Sequence, residues 1–547
     1  MAMKIALVSI DSKYIHTNLA VRYLQVNCDF PVEICEFTIK DPPDRILHAI
    51  RRLSPDLVGF SVYIWNVSLV KQLTQSLKAL IPARVLWGGP EVSFDASTYF
   101  DDYPVDYIIC QEGEIAFNRL LHAIKDATPL SNVPNLAYRD GDVIRENPIE
   151  PIDALDQLKN PYLAMTDPAA YRNRIQYVES SRGCPFACTY CLASLNRQVR
   201  LFSLDRVISD LDRLQALGVK TFKFLDRTFN LDPNRVLELL EHIALHHAPG
   251  TSFQFEICGD LLSDSLIDRL HSFAPANLFR FEIGIQSTNP NSIFLVKRKQ
   301  NQNKLLANIR KLQSAGIIDL HLDLIAGLPG ETWDSFRAAF DQVFRLYSKE
   351  LQLGFLKFLR GTPLRHDAEK LGFIYDSNPP YEIISSRDLS SFDLDKIRQV
   401  ETTLSIHWNK GFMNRTVKWV IDHVASPTDF FLELATFYHE RQYDIIRYQL
   451  ADVFFRFDEF MKSRYPEIQV MAHHQLKRDY LSYHTLKPKI WWEQKNLHKN
   501  EILRRYYDFD KTFPLDTLYK HALVTTAEIG YLIALYLPEG LQLLYLK

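Results

Sequence analysis

The chain has 547 residues, a formal net charge of −3 at pH 7 and 47% hydrophobic residues. One hydrophobic core rarely extends through a chain of this length, so the sequence predicts two to four domains. The near-zero charge argues against a generally basic nucleic-acid-binding surface, although it leaves room for a local basic patch. No segment approaches the roughly 18 uninterrupted apolar residues of a membrane span, and the amino terminus lacks a signal-peptide cleavage site, so we expect a cytoplasmic protein.

The first 140 residues alternate short β-rich segments with helical ones, which predicts a parallel sheet covered on both faces. The predicted strands are Lys4–Ser9, Val32–Thr38, Leu57–Ser61, Arg84–Trp87 and Tyr107–Cys110, and the predicted helices are Asn18–Val26, Asp44–Arg52, Val67–Leu80 and one from about Glu114. We therefore expect a Rossmann-like, doubly wound domain over residues 1–140. Such domains bind ligands beyond the carboxyl ends of their strands.

A second alternating series follows a predicted linker over residues 141–172. Its predicted strands are Gln176–Ser180, Thr221–Leu225, Ser252–Ile257, Leu278–Gly284, His321–Ile325 and Leu353–Phe358. These strand–helix repeats predict a partial (β/α)6 TIM-type barrel over residues 173–375, with its active site at the carboxyl ends of the strands. From 376 to 547 strand signals fade and apolar residues recur at helical spacing, which predicts a mostly α-helical domain.

Three of the seven cysteines, Cys184, Cys188 and Cys191, lie close together directly after a predicted strand. Three thiolates can hold three irons of a [4Fe–4S] cluster and leave the fourth iron open to bind a substrate molecule. The alternatives are a zinc site, which usually needs a fourth ligand, or unligated core cysteines. The other cysteines, Cys28, Cys35, Cys110 and Cys258, are scattered and are expected to be buried small hydrophobic residues.

The C-x3-C-x2-C motif, with Tyr190 before its last cysteine, resembles the signature of the radical S-adenosylmethionine (SAM) superfamily. The resemblance implies that the open iron binds SAM and that electron transfer releases a 5′-deoxyadenosyl radical. It extends to the segments Phe224–Asn230, Phe281–Ser287 and His321–Thr332. The SAM-binding residues that it implies are Tyr190, Asp226, Glu256, Glu282, Gln286, Ser287, Arg298, Asp323 and Gly327. Taken singly, Glu256 or Asp323 could be only a salt-bridge partner, and Gly327 only a turn residue.

The amino-terminal domain resembles the cobalamin-binding domain of cobalamin-dependent radical SAM enzymes at Gly59–Asn66, Trp87–Glu91 and Cys110–Glu114. The cobalamin-binding residues that this implies are Tyr14, His16, Ser61, Tyr63, Trp65, Gly88, Gly89, Pro90, Glu91, Glu112 and Gly113. The sequence has no D-x-H-x-x-G segment to supply a histidine ligand to cobalt, and His16 lacks the flanking residues of one. A G-x-G-x-x-G fingerprint is also missing, so a nicotinamide cofactor is not expected. The alternative is that this domain is a degenerate sheet with a purely structural role and binds no cofactor.

The carboxyl-terminal region resembles the helical extension of one subset of these proteins, whose function is uncharacterised. Basic and aromatic side chains alternate at Lys489–Trp492 and Arg504–Tyr507. They could form a substrate platform or stack on nucleobases, but a helical core with a charged outer face is the simpler interpretation. The final segment, Tyr531–Lys547, is apolar and is expected to dock against the rest of the protein.

The resemblance implies a methyltransferase that acts on an unactivated carbon or phosphorus centre through methylcobalamin and a 5′-deoxyadenosyl radical. The alternative keeps both cofactors but catalyses ring formation, rearrangement or a redox reaction without methyl transfer. A third hypothesis is a non-catalytic cobalamin or SAM sensor, which would not need an open iron. The implied partners are an electron donor such as flavodoxin or ferredoxin and a substrate that the sequence does not name: a small molecule, a peptide, a lipid or a modified RNA.

Overall fold

The computed structural model describes residues 3–493 and 497–547. The chain divides into two compact units. The first comprises Met1–Thr332 and Gln352–Ser391, and the second comprises Trp333–Leu351 and Phe392–Lys547.

The first unit begins with a doubly wound α/β sheet. Its strands are β1 (Ile5–Asp11), β2 (Val32–Thr38), β3 (Leu57–Ser61), β4 (Arg84–Gly88), β5 (Tyr107–Ile109), β6 (Leu136–Asp140) and β7 (Val143–Glu146). Its helices are α1 (Leu19–Val26), α2 (Pro43–Leu53), α3 (Val67–Leu80), α4 (Ser97–Asp102) and α5 (Glu114–Asp126). The strand order is β2-β1-β3-β4-β5-β6-β7, and the first five strands pair in parallel. The antiparallel pair β6–β7 extends the sheet into the segment that the sequence predicts as a linker.

Hydrophobic cores cover both faces of this sheet. All seven residues of β1 are buried. Val8 and Ile10 contribute to the core on one face, whereas Ile5 and Leu7 contribute to the core on the other. Strands that are apolar on both faces need helices on both sides, which is why the alternating sequence pattern predicts this arrangement correctly.

The central part of the first unit contains the partial barrel. The strands of this region are β8 (Ile175–Val178), β9 (Ser181–Arg182), β10 (Arg200–Leu201), β11 (Thr221–Phe224), β12 (Ser252–Glu256), β13 (Phe279–Gln286), β14 (Asp319–Ala326) and β15 (Glu350–Phe355). The helices are α6 (Pro168–Tyr171), α7 (Leu204–Ala216), α8 (Pro233–His246), α9 (Asp264–Phe273), α10 (Pro290–Leu295) and α11 (Gln302–Ala315). The next helix along the chain, α12 (Trp333–Phe344), belongs to the second unit. The six-stranded sheet has the order β15-β14-β13-β12-β11-β8, and β9 and β10 form a separate two-stranded ribbon. The predicted α/β fold class and its six barrel strands are confirmed.

Side chains alternate between the two faces of the barrel strands. Phe279, Phe281 and Ile283 of β13 are buried, whereas Glu282 and Gln286 between and after them are only partly buried. Polar side chains therefore point from the strands into the barrel interior. The sequence prediction for the last strand, Leu353–Phe358, is displaced by three residues, since β15 ends at Phe355. Beyond it, the Leu356 carbonyl accepts from the Ile383 amide and the Phe358 amide donates to the Tyr381 carbonyl.

The first unit ends with α13 (Pro363–His366) and the short pair β16 (Ile374–Tyr375) and β17 (Ile383–Ser385). The second unit is mostly helical, as predicted. Its remaining helices are α14 (Ser391–Leu404), α15 (Asn414–Ile421), α16 (Pro427–Glu440), α17 (Leu450–Arg464), α18 (Pro466–Tyr483), α19 (Lys499–Phe509) and α20 (Leu515–His521), with a π-helical turn at Ser405–Asn409. Buried aromatic side chains, among them Phe430, Phe431 and Phe457, form its core.

The second unit also contains a sheet that the sequence analysis missed. It consists of β18 (Ala522–Thr526), β19 (Tyr531–Leu537) and β20 (Gly540–Leu546), paired antiparallel. The turn between β19 and β20 contains Pro538 and Glu539 and leads into Gly540, whose φ is +135°. Such turn residues between two apolar segments predict a β-hairpin. The sequence prediction for Tyr531–Lys547, one docking segment, takes no account of this signal. In the part of the chain that the structure describes, no helix has the length and apolar character needed to cross a membrane.

Candidate active site

The cysteine loop follows β8 and is fixed by its backbone. The amide of Cys184 donates a hydrogen bond to the carbonyl of Asn196 (2.9 Å), and the ribbon β9–β10 pairs the two ends of the segment. Gly183 adopts a φ of +97°, and a Cβ atom there would lie 2.2 Å from the carbonyl oxygen of Gln198. Only glycine fits this position, since both the backbone conformation and the close approach exclude a side chain.

The three thiols of the loop are free and lie among cationic and hydroxyl groups. Cys184 and Cys188 are buried, with Cys184 Sγ 3.6 Å from Thr228 Oγ1 and Cys188 Sγ 4.0 Å from Arg298 Nη1. Burial raises the pKa of Cys191, and its neighbours Cys184 and Cys188 raise it further. Three thiol donors beside an arginine fit an iron–sulfur cluster, in which each thiol binds a separate iron. Within residues 3–493 and 497–547, no three His, Cys, Asp or Glu side chains are placed to bind a single metal ion.

Asp226, at the end of β11, anchors the residues that lead into the cysteine loop. Its carboxylate accepts hydrogen bonds from the Ser180 amide (2.9 Å), the Ser180 hydroxyl (2.5 Å) and the Ser181 hydroxyl (2.6 Å). Asp226 is 1% exposed, and this burial raises the pKa of its carboxyl group. These hydrogen bonds give Asp226 a positioning role for the loop. The contact with SAM that the resemblance implies for it stays a prediction.

Arg298 lies against the cysteine loop. Its guanidinium donates to the Gly284 carbonyl (2.5 Å), to Gln300 Oε1 (2.7 Å) and to the Tyr190 hydroxyl (3.4 Å). These contacts hold a positive charge beside Cys188. The predicted pair Tyr190 and Arg298 is thus brought together with the cysteines, as expected for groups that surround a bound SAM.

The predicted carboxylates Glu256, Glu282 and Asp323 lie on neighbouring barrel strands. Glu282 is held by Lys223 Nζ (3.1 Å) and Gln254 Nε2 (2.6 Å). Burial raises its pKa, but the charges of Lys223 and His321 and the two hydrogen bonds together lower it below the usual value. Burial raises the pKa of Glu256 and of Asp323. Glu256 is 3.5 Å from Arg227 Nη1 and Asp323 is 3.2 Å from His321 Nε2, so the salt-bridge alternative describes part of their geometry.

Gln286, Ser287 and Gly327 form a second group beside the barrel mouth. Gln286 has a φ of +70°, and its Oε1 atom is buried without a hydrogen-bond partner among the described residues. An orphaned buried oxygen fits a ligand that donates a hydrogen bond, such as the amino or hydroxyl groups of SAM. Ser287 donates to Glu331 (3.4 Å) and the amide of Gly327 donates to the same carboxyl (2.7 Å). Glu331 is 1% exposed, and burial raises its pKa to about 8.

A cavity of about 800 Å³ lies at the carboxyl ends of the strands in the first sheet. Ten of the eleven residues that the sequence predicts for cobalamin line it: His16, Ser61, Tyr63, Trp65, Gly88, Gly89, Pro90, Glu91, Glu112 and Gly113. The exception is Tyr14, which is 69% exposed and stacks on Arg174 outside the cavity. Barrel residues complete the wall: Tyr177, Glu179, Arg182, Leu192, Leu225 and Arg227.

The cavity fits a large planar ligand, because aromatic and glycine residues form much of its wall. The rings of Tyr63 and Trp65 stack at 4.3 Å with an interplanar angle of 8°. Gly88 would accept a Cβ atom, whose nearest neighbour would be the Ile109 carbonyl at 3.6 Å, so this residue leaves usable space beside the cavity. Gly89 differs: its φ is +122° and a Cβ would meet the Val62 carbonyl at 2.5 Å, so the fold itself requires this glycine.

Three of the cavity's polar residues already have protein partners. Glu112 pairs with Arg200 (2.7 Å), and Glu91 accepts hydrogen bonds from Tyr99 (3.3 Å) and from Tyr381. His16 Nδ1 is 2.8 Å from the Tyr177 hydroxyl, and burial lowers the pKa of the His16 ring. Glu91 and Glu112 therefore hold the cavity wall together, in addition to lining it.

Arg182 was missed as a site residue. Its guanidinium is 2.6 Å from Glu114, 3.0 Å from Glu179 and 3.6 Å from Glu112, and its side chain is only 12% exposed. It therefore links the cysteine loop to the first sheet. Its place in the sequence, two residues before the first cysteine of the motif, is a signal that could have identified it.

Comparison with known families agrees with both halves of this site. Residues 5–121 match the family described as B12 binding domain, and residues 178–343 match the Radical SAM superfamily. The chain thus combines a B12-binding domain with a radical SAM domain, the two domains of cobalamin-dependent radical SAM enzymes. The predicted family, enzyme class and cofactors, a [4Fe–4S] cluster, SAM and cobalamin, are thereby confirmed. Residues 369–515 match a protein of unknown function, DUF4080.

Curated relatives include methyltransferases. The chain is 24% identical over 337 residues to the uncharacterized methyltransferase PH0819 of Pyrococcus horikoshii, which covers 58% of this chain and 69% of that protein. It is 27% identical to the cobalamin-dependent radical SAM methyltransferase TokK of Streptomyces tokunonensis, over 57% of this chain but only 48% of TokK. The solved structure of the cobalamin-dependent SAM radical enzyme OxsB with aqua-cobalamin has a TM-score of 0.63 at 16% identity, over 88% of this chain and 78% of that chain. This likeness supports the fold.

Proposed function

We propose that the chain is a methyltransferase that acts on an unactivated carbon or phosphorus centre. The observation that carries the proposal is a single cavity lined by both parts of the first unit. Ser61 and Gly88 line it from the first sheet, and Arg182 and Leu192 line it from the cysteine loop. Because Leu192 directly follows Cys191, a cobalamin in this cavity would be adjacent to the residues that hold the cluster.

The chain's own residues would bind and orient the cofactors and exclude water from them. When bound, the cluster would supply the electron for cleavage of SAM, and cobalamin would supply the methyl group. Cys184, Cys188 and Cys191 would hold the cluster, and Asp226 fixes the approach to their loop. Arg298 places positive charge next to the thiols.

The SAM-binding group would comprise Tyr190, Glu256, Glu282, Gln286, Ser287, Arg298, Asp323 and Gly327. Apolar residues of the cavity wall, such as Leu7, Phe60 and Leu86, would keep water from reactive species. In the cobalamin-binding group, Gly88 would leave space for the ligand beside the backbone.

The proposal also includes an electron donor for the cluster and a cellular location for the protein. A cluster of this kind needs a one-electron donor, and we expect a protein of the flavodoxin or ferredoxin class. All seven cysteines are free thiols. Free thiols are typical of proteins in a reducing compartment, which favours the cytoplasm. The substrate class is open between small molecule, peptide, lipid and modified RNA.

The test is product analysis on anaerobically reconstituted, cobalamin-loaded protein that is given SAM and a strong reductant. We expect 5′-deoxyadenosine together with S-adenosylhomocysteine, each quantified by mass spectrometry. A Cys184→Ala variant serves as the control and should form no deoxyadenosine. Deoxyadenosine without S-adenosylhomocysteine would overturn methyl transfer and favour ring formation, rearrangement or redox chemistry.

A further inference from the structure

A fourth cysteine lies beside the cysteine loop. Cys258 follows β12, and its backbone is fixed by Asn230, whose side chain accepts from the Cys258 amide (2.8 Å) and donates to the Cys258 carbonyl (2.9 Å). Asn230 is 2% exposed, so this pair of hydrogen bonds is protected from water. The two hydrogen bonds therefore fix the backbone of Cys258 beside the loop.

The sulfur atoms of Cys258 and Cys184 share one neighbour. Cys258 Sγ is 3.9 Å and Cys184 Sγ is 3.6 Å from Thr228 Oγ1. The Thr228 hydroxyl donates its hydrogen to the Arg227 carbonyl (2.8 Å). Its oxygen is therefore the acceptor toward the two thiols. Thr228 is 3% exposed. Two thiols from different strands thus converge on one buried hydroxyl.

The other cysteines outside the loop belong to a different part of the fold. Cys28 and Cys110 lie in the hydrophobic cores of the first sheet, and Cys35 packs against one of them. Cys28 and Cys110 are buried, as the sequence predicts, whereas Cys35 and Cys258 are only partly buried. Cys258 differs from the other three because its sulfur faces Thr228 beside the cysteine loop. Arg298 is near enough to interact electrostatically with both Cys188 and Cys258.

A loop with three thiolates leaves one iron of a [4Fe–4S] cluster without a protein ligand. Any protein ligand to that iron must come from outside the loop. We infer that Cys258 is that ligand: its sulfur binds the open iron when SAM is absent and leaves it when SAM binds. On binding, an Fe–S bond forms and the thiol releases its proton to solvent. On displacement by the amino and carboxylate groups of SAM, that bond breaks and the thiolate takes up a proton, with no change in oxidation state.

This inference rests on the three-cysteine cluster, but not on methyl transfer. The test is Mössbauer spectroscopy of full-length protein reconstituted with ⁵⁷Fe, before and after addition of SAM, without reductant. In wild-type protein without SAM we expect four equivalent sulfur-ligated irons, and in Cys258→Ala roughly a quarter of the iron should show a distinct site with oxygen or nitrogen ligation. With SAM, both proteins should show the distinct site. Cys35→Ala, which removes a thiol of the first sheet, should behave as wild type.

A second measurement guards against a variant that is merely destabilised. If Cys258 competes with SAM for the iron, Cys258→Ala should bind SAM with a lower Kd than wild type and Cys35→Ala. A structural loss would instead raise the Kd. A distinct iron site in wild-type protein without SAM, equal to that of Cys258→Ala, would overturn the inference and leave the three-cysteine site intact. Failure of wild-type protein to assemble any cluster would overturn the three-cysteine site and this inference with it.

Discussion

Gly183 determines the path of the cysteine loop at the scale of single residues. A side chain there would collide with the Gln198 carbonyl at 2.2 Å, and the φ of +97° is unfavourable for other residues. We predict that Gly183→Ala loses most of its iron after anaerobic reconstitution, because the loop can no longer place Cys184. Iron content per chain is the measurement.

Gly250→Ala is the matched control for this prediction. Its φ is +76°, and a Cβ atom would have no neighbour within 4 Å, so it carries the same kind of backbone strain without the collision. It should retain its iron. Equal iron contents in the two variants would contradict the claim that a side chain at Gly183 displaces the cysteine loop.

The neighbouring residues Gly88 and Gly89 are glycines for different structural reasons. The sequence treats Gly88 and Gly89 alike, as residues that let cobalamin approach the backbone. In the structure, Gly89 is required by its own contact with Val62, whereas only Gly88 has space for a larger residue. A variant that is meant to fill the cavity therefore belongs at Gly88, since a change at Gly89 would disturb the sheet first.

At the scale of elements, Arg182 joins β9 to the start of α5 and to the end of β8. Replacing it by methionine removes the cation and leaves Glu114 and Glu179 as buried carboxylates without their charge partner. Breaking a buried ion pair from one side costs roughly 3–5 kcal/mol. We predict a lower urea midpoint of unfolding for Arg182→Met.

Arg145→Met is the control for this prediction. Arg145 pairs with Asp140 at 2.7 Å, but both side chains are exposed, so water replaces the lost partner. Its urea midpoint should stay at the wild-type value. An unchanged midpoint for Arg182→Met would show that the network around Arg182 is solvated.

Glu331 makes the stability of the turn after β14 depend on pH. Its pKa is raised by burial from 4.5 to about 8, so folding favours the protonated form. The stabilisation is complete below the unfolded pKa of 4.5 and is lost as pH rises through about 8. We predict that wild-type protein becomes less stable relative to Glu331→Gln across this window. Thermal unfolding at a series of pH values measures it, and a constant difference between the two proteins would contradict the burial of a neutral Glu331.

For the whole molecule, the sequence predicts best where a physical pattern is local. Alternating apolar strands and helices identified both α/β parts, and the spacing of Cys184, Cys188 and Cys191 identified the ligand loop. Ten cavity residues were also predicted from short motifs. The predicted domain boundaries stay predictions, and so do the roles of the individual site residues.

What the sequence did not predict depends on contacts between distant segments. Two of the three partners of Arg182 are far away in the sequence: Glu114, at a separation of 68 residues, and Glu112. The contacts of Cys258 and Cys184 with Thr228 arise only when β8, β11 and β12 are placed side by side. The resemblance of Phe224–Asn230 to related enzymes implied that Asp226 binds SAM, and only the folded structure shows that its carboxylate also accepts hydrogen bonds from Ser180 and Ser181.

The central claim is that two separate sites, a cysteine loop for iron and a cavity for cobalamin, lie together in one unit. The most direct test is to measure iron and cobalt per chain in three reconstituted proteins. Wild-type protein should contain about four irons and one cobalt. The variant with Cys184, Cys188 and Cys191 all replaced by alanine should lose the iron and keep the cobalamin, and Gly88→Trp should do the reverse. Iron retained by the triple variant, or cobalamin retained by Gly88→Trp, would contradict the account.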